Sequence, residues 1–445
     1  MSIPMKASTT TLAAMTILMI FIAFDKAESA FHAGGVGACD ACHSMHNSPQ
    51  TTGTSLLKSA DPSSTCLHCH EHMGDTGPTS FHVSTHNADM PLGSPPRQLT
   101  PGGDFGWLKV TYSWLVSQTQ GAMFSYGDRH GHNIVAPDYS YFADITNATA
   151  PEGTYPATNF SCISCHDPHG TYRRDTNGLI ATTGAPIRAS GSYASSVDPV
   201  AGQAVGAYRL LGGRNYSTKE LGGAFAFQND PPVAVAPDVY NRAETLTQTR
   251  VAYGSGMSEW CQNCHTTMHT IMSSPTSTPV VHPVGTAAKL GLLDRLGVPV
   301  MSNYNSYINS GNLSGTVTAA YLSLVPFEEG LTSTAANITT LKSHSKTDDT
   351  YLYGPDTNSQ VMCLTCHRAH ASGWDYAMRW NTMTDYIVYN GLYSQDGQTY
   401  QPYGQGRKEL EAQKAYYNML ATRFTTTTLL NQDTLCHKCH PGTIQ

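Results

Sequence analysis

The sequence has few charged residues and no concentration of positive charge. Lys, Arg, Asp and Glu make up 13% of its 445 residues, against about 25% in an average soluble domain. Its net charge of −7 is spread along the chain. A protein that binds the phosphate backbone of nucleic acid needs clustered Lys and Arg. The absence of a basic stripe therefore argues against nucleic acid as a partner.

The chain also lacks an apolar run long enough to span a membrane. Its one apolar stretch, residues 11–24, follows Lys6 and leads into small residues that end at Ala30. This stretch is too short for a transmembrane helix and no stop-transfer pattern follows it, which is typical of a secretory signal peptide. We therefore predict a signal peptide at residues 1–30 and an exported mature chain without a transmembrane segment.

Cysteine is abundant, and its spacing excludes the ordinary use of cysteine outside the cell. Twelve cysteines in an exported protein would normally suggest disulfides. Here they form six C-x-x-C pairs, and each pair is followed at once by histidine. By chance alone, six such histidines among 20 in 445 residues would occur with a probability on the order of 10⁻⁸. The cysteine pairs are Cys39 and Cys42, Cys66 and Cys69, Cys162 and Cys165, Cys261 and Cys264, Cys363 and Cys366, and Cys436 and Cys439; the histidines are His43, His70, His166, His265, His367 and His440.

The C-x-x-C-H motif is the attachment signal for c-type haem. Two thiols one turn apart can bond the two vinyl groups of one porphyrin, and the adjacent imidazole then lies beneath the iron as its proximal ligand. The alternative, a zinc site built from paired C-x-x-C units, needs no histidine after each pair and leaves all six unexplained. The sequence therefore predicts six covalently attached haems, each with its iron, held by the twelve cysteines and six proximal histidines.

Fourteen further histidines could supply the second axial ligand of each iron. Two histidine ligands make a low-spin site suited to electron transfer, whereas an open position suits substrate binding. His68 and His437 lie between the cysteines of their own motifs, and His32, His72 and His130 have weaker settings than the rest. His86 shares the segment "SFHVSTH" with a stronger candidate. The predicted distal ligands are His46, His82, His132, His169, His269, His282, His344 and His370.

Three of these candidates, His46, His169 and His370, stand three residues after a proximal histidine. Such a residue cannot reach the same iron, because the backbone would have to pass around the whole porphyrin. It must serve another haem, which brings neighbouring haems close together in a row. The spacing recurs at motifs one, three and five, which hints at a repeating unit of two haems. If these histidines reach towards earlier haems, His46 has none in its own chain, and a neighbouring protomer could provide one.

Long segments rich in Gly, Pro, Ser, Thr and Tyr separate the central motifs. They predict a fold that is mostly coil with a few short helices and little β-structure, wrapped around a row of six haems. Apolar periodicity predicts helices at 287–297, 316–324 and 407–424. No charged or Ser/Gly-rich linker divides the chain, so we predict a single hexahaem domain at residues 31–445. Since six buried porphyrins would supply its apolar centre, folding should depend on haem attachment.

Several segments resemble one known family. The stretches "FHAGGVGACDACHSMHNS", "TPGGDFGW", "QTRVAYGSGMSEWCQNCHT", "AYLSLVPFEEG" and "CHRAHASG" are similar to the outer-surface hexahaem cytochromes of metal-reducing bacteria that polymerise into conductive filaments. The resemblance covers most of the mature chain and all six motifs. It implies bis-histidine ligation throughout, a continuous haem chain and head-to-tail assembly outside the cell. It also implies that His46 reaches across the protomer boundary to the haem of His367.

The sequence thus favours an electron carrier rather than an enzyme, polymerised at the cell surface and passing electrons to metal oxides, electrodes, partner cells or other redox proteins. One alternative is a monomeric shuttle or terminal metal reductase, in the periplasm or outside the cell. Another is a multihaem reductase of small oxyanions, which would need one five-coordinate iron with acid or base groups around it. No second constellation of that kind is visible in the sequence.

Overall fold

The computed structural model describes residues 39–44, 56–77, 81–117, 121–237, 251–268, 283–294, 296–309, 326–346, 354–384, 386–389, 392–396, 404–417, 432–433 and 439. Most of these residues lie in turns, bends and irregular loops, as the abundance of glycine and proline predicts. Within these ranges every helix is too short or too polar to cross a lipid bilayer. The predicted signal peptide lies outside the described residues.

The helices are short, and several of them contain a haem motif. The α-helices are Cys39–Cys42, Pro62–His70, Met257–Cys261, Val300–Asn309, Ala335–His344, Cys363–Cys366 and Glu409–Ala415. Single turns of 3₁₀-helix occur at Asn87–Asp89, Phe105–Lys109, Gly127–Arg129, Pro137–Tyr139, Cys162–Ser164, Tyr208–Leu210, Lys219–Leu221, Gly285–Ala287 and Asp375–Ala377.

The three helix predictions have different outcomes. The helix predicted at 407–424 is confirmed in part as Glu409–Ala415, and Tyr417 beyond it is left-handed with φ 58°. The helix predicted at 287–297 is wrong, because its main chain bonds to a neighbouring segment instead: the Leu290 N–H donates to the Ser359 carbonyl over 2.8 Å, and Gly297 has φ 75°. The helix predicted at 316–324 lies outside the described residues.

The strands form small separate sheets. They are β1 Tyr112–Ser117, β2 Gly121–Ser125, β3 Arg173–Arg174, β4 Ile180–Ala181, β5 Ile187–Ala189, β6 Ala204–Gly206, β7 Val233–Val235, β8 Ala252–Ser255, β9 Tyr386–Tyr389, β10 Leu392–Tyr393 and β11 Gln432–Asp433. Strand β1 pairs with β2, and β7 pairs with β8, both antiparallel. A sheet of four strands has the order β4-β3-β6-β5, in which β5 and β6 are parallel, and a sheet of three has the order β10-β9-β11.

The apolar core of the described residues is divided into five clusters instead of one. The largest is rich in aromatic side chains, and Cys366 and Cys439 pack at its edge. Cys165 borders a second cluster and Cys162 a third. The motifs therefore lie beside the apolar clusters, where a porphyrin bound at a motif would have apolar surface to pack against.

Candidate haem sites

The described motifs share a tight turn that holds both cysteines and the following histidine. In four of them the histidine N–H donates to the carbonyl of the first cysteine, an i to i−4 bond: His43 to Cys39 (2.9 Å), His166 to Cys162 (3.0 Å), His265 to Cys261 (3.1 Å) and His367 to Cys363 (2.9 Å). In motif two the same residues lie inside the helix Pro62–His70. One turn separates the two thiols in each case, as attachment to one porphyrin requires. The eleven cysteines within the described residues form no disulfide.

Four of the proximal histidines are oriented by main-chain carbonyl groups. A carbonyl oxygen can only accept a hydrogen bond, so the proton must lie on Nδ1 and Nε2 keeps its lone pair for a metal. Metal-binding histidines commonly have this second interaction. The Nδ1 contacts are His70 to Phe81 O (2.9 Å), His166 to Arg209 O (2.8 Å), His265 to Pro151 O (2.8 Å) and His367 to Tyr376 O (2.7 Å).

Most of the described distal candidates have the same tautomer. Nδ1 contacts a carbonyl or carboxylate oxygen in four of them: His132 with Ala369 O (2.7 Å), His370 with Gly103 O (3.3 Å), His344 with Glu329 Oε2 (2.6 Å), and His82 with the Asp75 carboxylate. The fifth, His169, has a side chain that is 68% exposed, and its Nδ1 lies 4.0 Å from Asp167.

Burial keeps the imidazoles neutral, as a metal ligand must be. Burial, together with a smaller effect of the nearby His265, lowers the pKa of His132 to about 4. Burial, together with a smaller effect of the nearby His166, lowers the pKa of His370 to about 3. Burial also lowers the pKa of the proximal histidines His70 and His367. At neutral pH these rings are therefore uncharged and can donate a lone pair.

Two distal candidates face proximal histidines at a suitable separation. The ring centroids of His43 and His169 are 6.3 Å apart with planes 12° from parallel, and those of His132 and His265 are 6.1 Å apart with planes at 44°. Two metal–nitrogen bonds of about 2 Å each, with the half-widths of two imidazoles, place the ring centres roughly 6 Å apart. Both pairs match the spacing of two ligands on opposite sides of one iron.

His130 and His86 have other roles, and His82 contacts a histidine outside the C-x-x-C-H motifs. His130 is fully buried, and both of its ring nitrogens are engaged, Nδ1 with Trp107 O (2.9 Å) and Nε2 with Ser125 Oγ (2.8 Å). The Nδ1 of His86 accepts the Ala88 N–H (3.1 Å) and thereby caps the turn Asn87–Asp89, which leaves the proton on Nε2. The ring of His82, a distal candidate, lies 5.9 Å from that of the exposed His72, with planes 19° from parallel, and its charge contributes to lowering the pKa of the proximal His70.

Consecutive motifs touch one another along the chain. The Cys66 thiol shares a hydrogen bond with Cys162, which raises the pKa of Cys66 and lowers that of Cys162, and Cys261 shares one with Cys363, which raises the pKa of Cys261. Burial raises the pKa of Cys42 and of Cys165, and the nearby thiols of Cys69 and Cys264, respectively, add to these rises. Cys366 and Cys439 pack against one cluster. The first five motifs thus lie close to one another in chain order, and motifs five and six border the same apolar cluster.

Motifs two and three are joined in the same way as motifs four and five. The Cys162 N–H donates to Ser63 Oγ over 3.1 Å, and the Cys363 N–H donates to Ser258 Oγ over 3.1 Å. Both serines are fully buried and stand three residues before the first cysteine of their own motif. The serines were not predicted, although the shared pattern S-x-x-C-x-x-C-H in motifs two and four could have indicated them. This duplication supports a repeating unit of two motifs.

Glycines let the segment that carries His370 approach the one that carries His132. A Cβ atom added at Gly131 would lie 2.2 Å from the His370 carbonyl oxygen, and one at Gly103, where φ is 96°, would lie 1.8 Å from the Ala371 carbonyl oxygen. Real Cβ atoms never come so close. The close approach allows the His132 N–H to donate to the His370 carbonyl over 2.9 Å, which holds both histidines in place.

Gly131→Ala is therefore expected to displace both His132 and His370. Two of the six haems should lose part of their low-spin character, which electron paramagnetic resonance of the ferric protein would detect. The control is Gly93→Ala, which strains a left-handed position (φ 83°) but causes no clash, since a Cβ there meets nothing within 4 Å. An unchanged low-spin spectrum in Gly131→Ala would contradict the expectation.

The remaining predicted residues, His46, His269, His282, Cys436 and His440, lie outside the described residues. Their roles stay predictions.

No protein-family model matches the chain. It is 51% identical over 452 residues to the C-type cytochrome OmcS of Geobacter sulfurreducens, covering 98% of both chains. Two solved structures are similar to it at 51% identity: the cryo-EM structure of the OmcS nanowires, with a TM-score of 0.81, and an outer-membrane cytochrome S filament, with a TM-score of 0.80. Each match covers 92% of this chain and 99% of the other.

Proposed function

This chain belongs to the OmcS family of c-type cytochromes, and on that premise we propose that it transfers electrons outside the cell as the repeating subunit of a head-to-tail filament. It is an electron carrier that holds covalently bound haem. Residues 1–30 would direct export, and residues 31–445 would form one hexahaem domain at the outer surface. Extracellular metal oxides, electrodes, partner cells or other redox proteins would accept its electrons.

When bound, a c-type haem supplies a one-electron couple between ferric and ferrous iron. The chain's own residues fix where that couple lies. The six cysteine pairs would attach the porphyrins, and the six proximal histidines would hold the irons on one side. Carbonyl groups such as those of Arg209 and Pro151 orient these imidazoles, and so strengthen them as ligands.

The ring separations support particular distal ligands. We assign His169 to the iron of His43 and His132 to the iron of His265, because each pair has the spacing of two ligands across one metal. We assign His370 to the iron of His166, because His166 is the proximal histidine whose charge lowers the pKa of His370 most. For the haems of His70, His367 and His440 the remaining candidates are His46, His82, His269, His282 and His344.

The observation that carries the proposed function is the unbroken succession of motif contacts. Each of the first five motifs lies close to the next through cysteine side chains, and motifs five and six border one apolar cluster. Porphyrins attached at these cysteines must be neighbours, since thioether bonds keep each one at its motif. A row of close redox centres passes electrons along its length, whereas an enzyme needs one centre open to substrate.

The assignments also support assembly between protomers. His169 follows motif three and faces motif one, and His370 follows motif five and lies near motif three. Each of these histidines therefore reaches two motifs back. His46 follows motif one, so two motifs back is the fifth motif, His367, of a preceding six-haem protomer. Such a contact joins different surfaces and does not close on itself, which is the condition for a fibre.

The test is negative-stain electron microscopy of the purified holoprotein, combined with a haem count and the ferric electron paramagnetic resonance spectrum. We expect long unbranched fibres, six haems per chain and only low-spin iron. Single particles would indicate the monomeric alternative. A high-spin signal from about one haem in six within intact fibres would contradict complete bis-histidine ligation.

His132→Met is expected to raise the reduction potential of one haem, because a thioether ligand favours ferrous iron more than imidazole does. Spectroelectrochemical titration would show one of six components moving to higher potential. His86→Met is the matched control, since His86 caps a turn with its Nδ1 and should leave all potentials unchanged. Equal titrations for His132→Met and the wild type would refute the assignment of His132.

A further inference from the structure

We propose that Glu328 is a proton-binding group coupled to the haems of motifs four and five, taking up a proton from solvent when one of these haems gains an electron. The inference rests on the proposed function, since it requires haems at these motifs. It adds a proton to the chemistry of an electron carrier: the ferric iron is reduced by one electron, and the carboxylate becomes a carboxylic acid.

The position of Glu328 places it at the junction of the two motifs. Its Oε1 accepts the Met257 N–H over 2.7 Å, at the first residue of the helix that ends in Cys261. Two residues earlier, the Pro326 carbonyl accepts the hydroxyl of Thr365, inside motif five, over 2.6 Å. Because Cys261 and Cys363 share a hydrogen bond, the carboxyl lies beside the point where the two porphyrins would be attached.

The burial of Glu328 is complete, and its hydrogen bonding is not. Its exposed fraction is 0%, and its second oxygen, Oε2, has no hydrogen-bond partner among the described residues. The main chain cannot move to relieve this, since Glu328 and Gln360 exchange two backbone hydrogen bonds of 3.0 and 2.8 Å. A buried carboxylate with one unsatisfied oxygen is costly. Protonation removes the charge and the cost.

The groups around Glu328 make it easy to protonate. Burial raises its pKa to about 8, the Met257 N–H opposes that rise, and Glu259 and Cys363 add to it. Glu259 is the charged group on the helix Met257–Cys261. Tyr253 is the titratable group on strand β8, which pairs with Glu328. The carboxylate of the neighbouring Glu329 binds His344. Cys363 ceases to titrate once it is a thioether. With a pKa this near neutrality, a small change of nearby charge alters the proton occupancy.

The direction of the coupling follows from charge. An added electron disfavours the nearby carboxylate, so the pKa of Glu328 is higher when the haems are reduced than when they are oxidised. At a pH between these two pKa values the reduced state binds more protons than the oxidised state, so the reduction potential of the haem falls as the pH rises. At a pH above both pKa values, or below both, the reduction potential does not depend on Glu328.

Motifs two and three provide the matched comparison. There the helix Pro62–His70 begins at Asp61, whose two oxygens accept the Ser64 N–H over 2.8 Å and the Ser64 hydroxyl over 2.5 Å. Asp61, like Glu328, accepts an N–H from the first turn of a motif helix, but it is partly exposed and both of its oxygens are satisfied. Burial raises the pKa of Asp61, but the hydrogen bonds from Ser64 oppose that rise and stabilise the carboxylate, so we expect Asp61 to stay ionised when a haem is reduced.

The experiment is a spectroelectrochemical titration of the holoprotein from about pH 6 to about pH 9, the range around the pKa of the carboxyl. In the wild type, at least one component should fall in potential with rising pH. Glu328→Gln should lose this slope, Asp61→Asn should keep it, and Glu259→Gln should move it to lower pH. An identical slope in Glu328→Gln would overturn the proposal.

A second measurement does not depend on the stability of the variant. The reduced-minus-oxidised infrared difference spectrum of the wild type should contain the carbonyl stretch of a newly protonated carboxylic acid, and its absence at neutral pH would also overturn the proposal. Haem count and filament formation are recorded on the same samples. Loss of either one in the wild type would mean that the proposed function has failed, whereas normal filaments without a pH-dependent slope would refute only the role of Glu328.

Discussion

Replacing His46 with alanine is expected to abolish filaments and to leave one haem in each protomer without its distal ligand. The reason is the two-motif reach of His169 and His370, which leaves His46 with no target in its own chain. An iron–imidazole bond between protomers would be lost together with the contacts that surround it. Negative-stain microscopy should show single particles, and the ferric spectrum should gain a high-spin component from about one haem in six.

The control for His46→Ala is His86→Ala, which removes a histidine that caps a surface turn and should leave filaments intact. Free imidazole added to His46→Ala offers a further distinction. It should restore the low-spin spectrum by occupying the vacant position, but it should not restore filaments, because it cannot join two protomers. Filaments of normal length from His46→Ala would show that His46 does not link the protomers.

The chain produced without haem attachment is expected to be unfolded. Its described apolar residues form five clusters instead of one, with motif cysteines at the edges of three of them. Regular structure is sparse, so many of the backbone hydrogen bonds lie in turns and loops, which need packed neighbours to persist. Removing six porphyrins takes away the apolar surface between the clusters, much as removing zinc unfolds a small metal domain.

Small-angle X-ray scattering of the mature chain would measure this loss. For about 415 residues, the radius of gyration should rise from about 22 Å when folded towards about 74 Å when unfolded. Near-ultraviolet circular dichroism, which reports the packed Trp and Tyr side chains, should disappear. The holoprotein purified in parallel is the control. A compact haem-free chain with a native aromatic spectrum would show that the protein core alone holds the fold.

Much of the fold class was predictable, but individual helices were less so. The abundance of glycine and proline and the long gaps between motifs indicate loops, and the structure is mostly loops. The stretch at 287–297 has helical periodicity, yet Leu290 bonds to Ser359. Local apolar spacing reports only local preference, and a main-chain partner from another segment can outweigh it.

The sequence by itself determined the covalent chemistry, because attachment of a c-type haem depends on five consecutive residues and nothing remote. It also identified the family, which the comparisons confirm, and the pool of histidines from which distal ligands must come. The three-residue spacing after His43 also predicts that His46, if it binds an iron, binds that of another haem.

Only the tertiary structure decided which histidine faces which motif. His43 meets His169, and His132 meets His265, because loops return each ring to a motif far away in sequence. The carbonyls that set the tautomers and the serines that join motifs are also distant. Glu328 is likewise distant from the motifs in sequence. It is an ordinary glutamate that is fully buried in the fold, where its backbone exchanges two hydrogen bonds with Gln360. Such contacts cannot be read from spacing, since they exist only after the chain has packed.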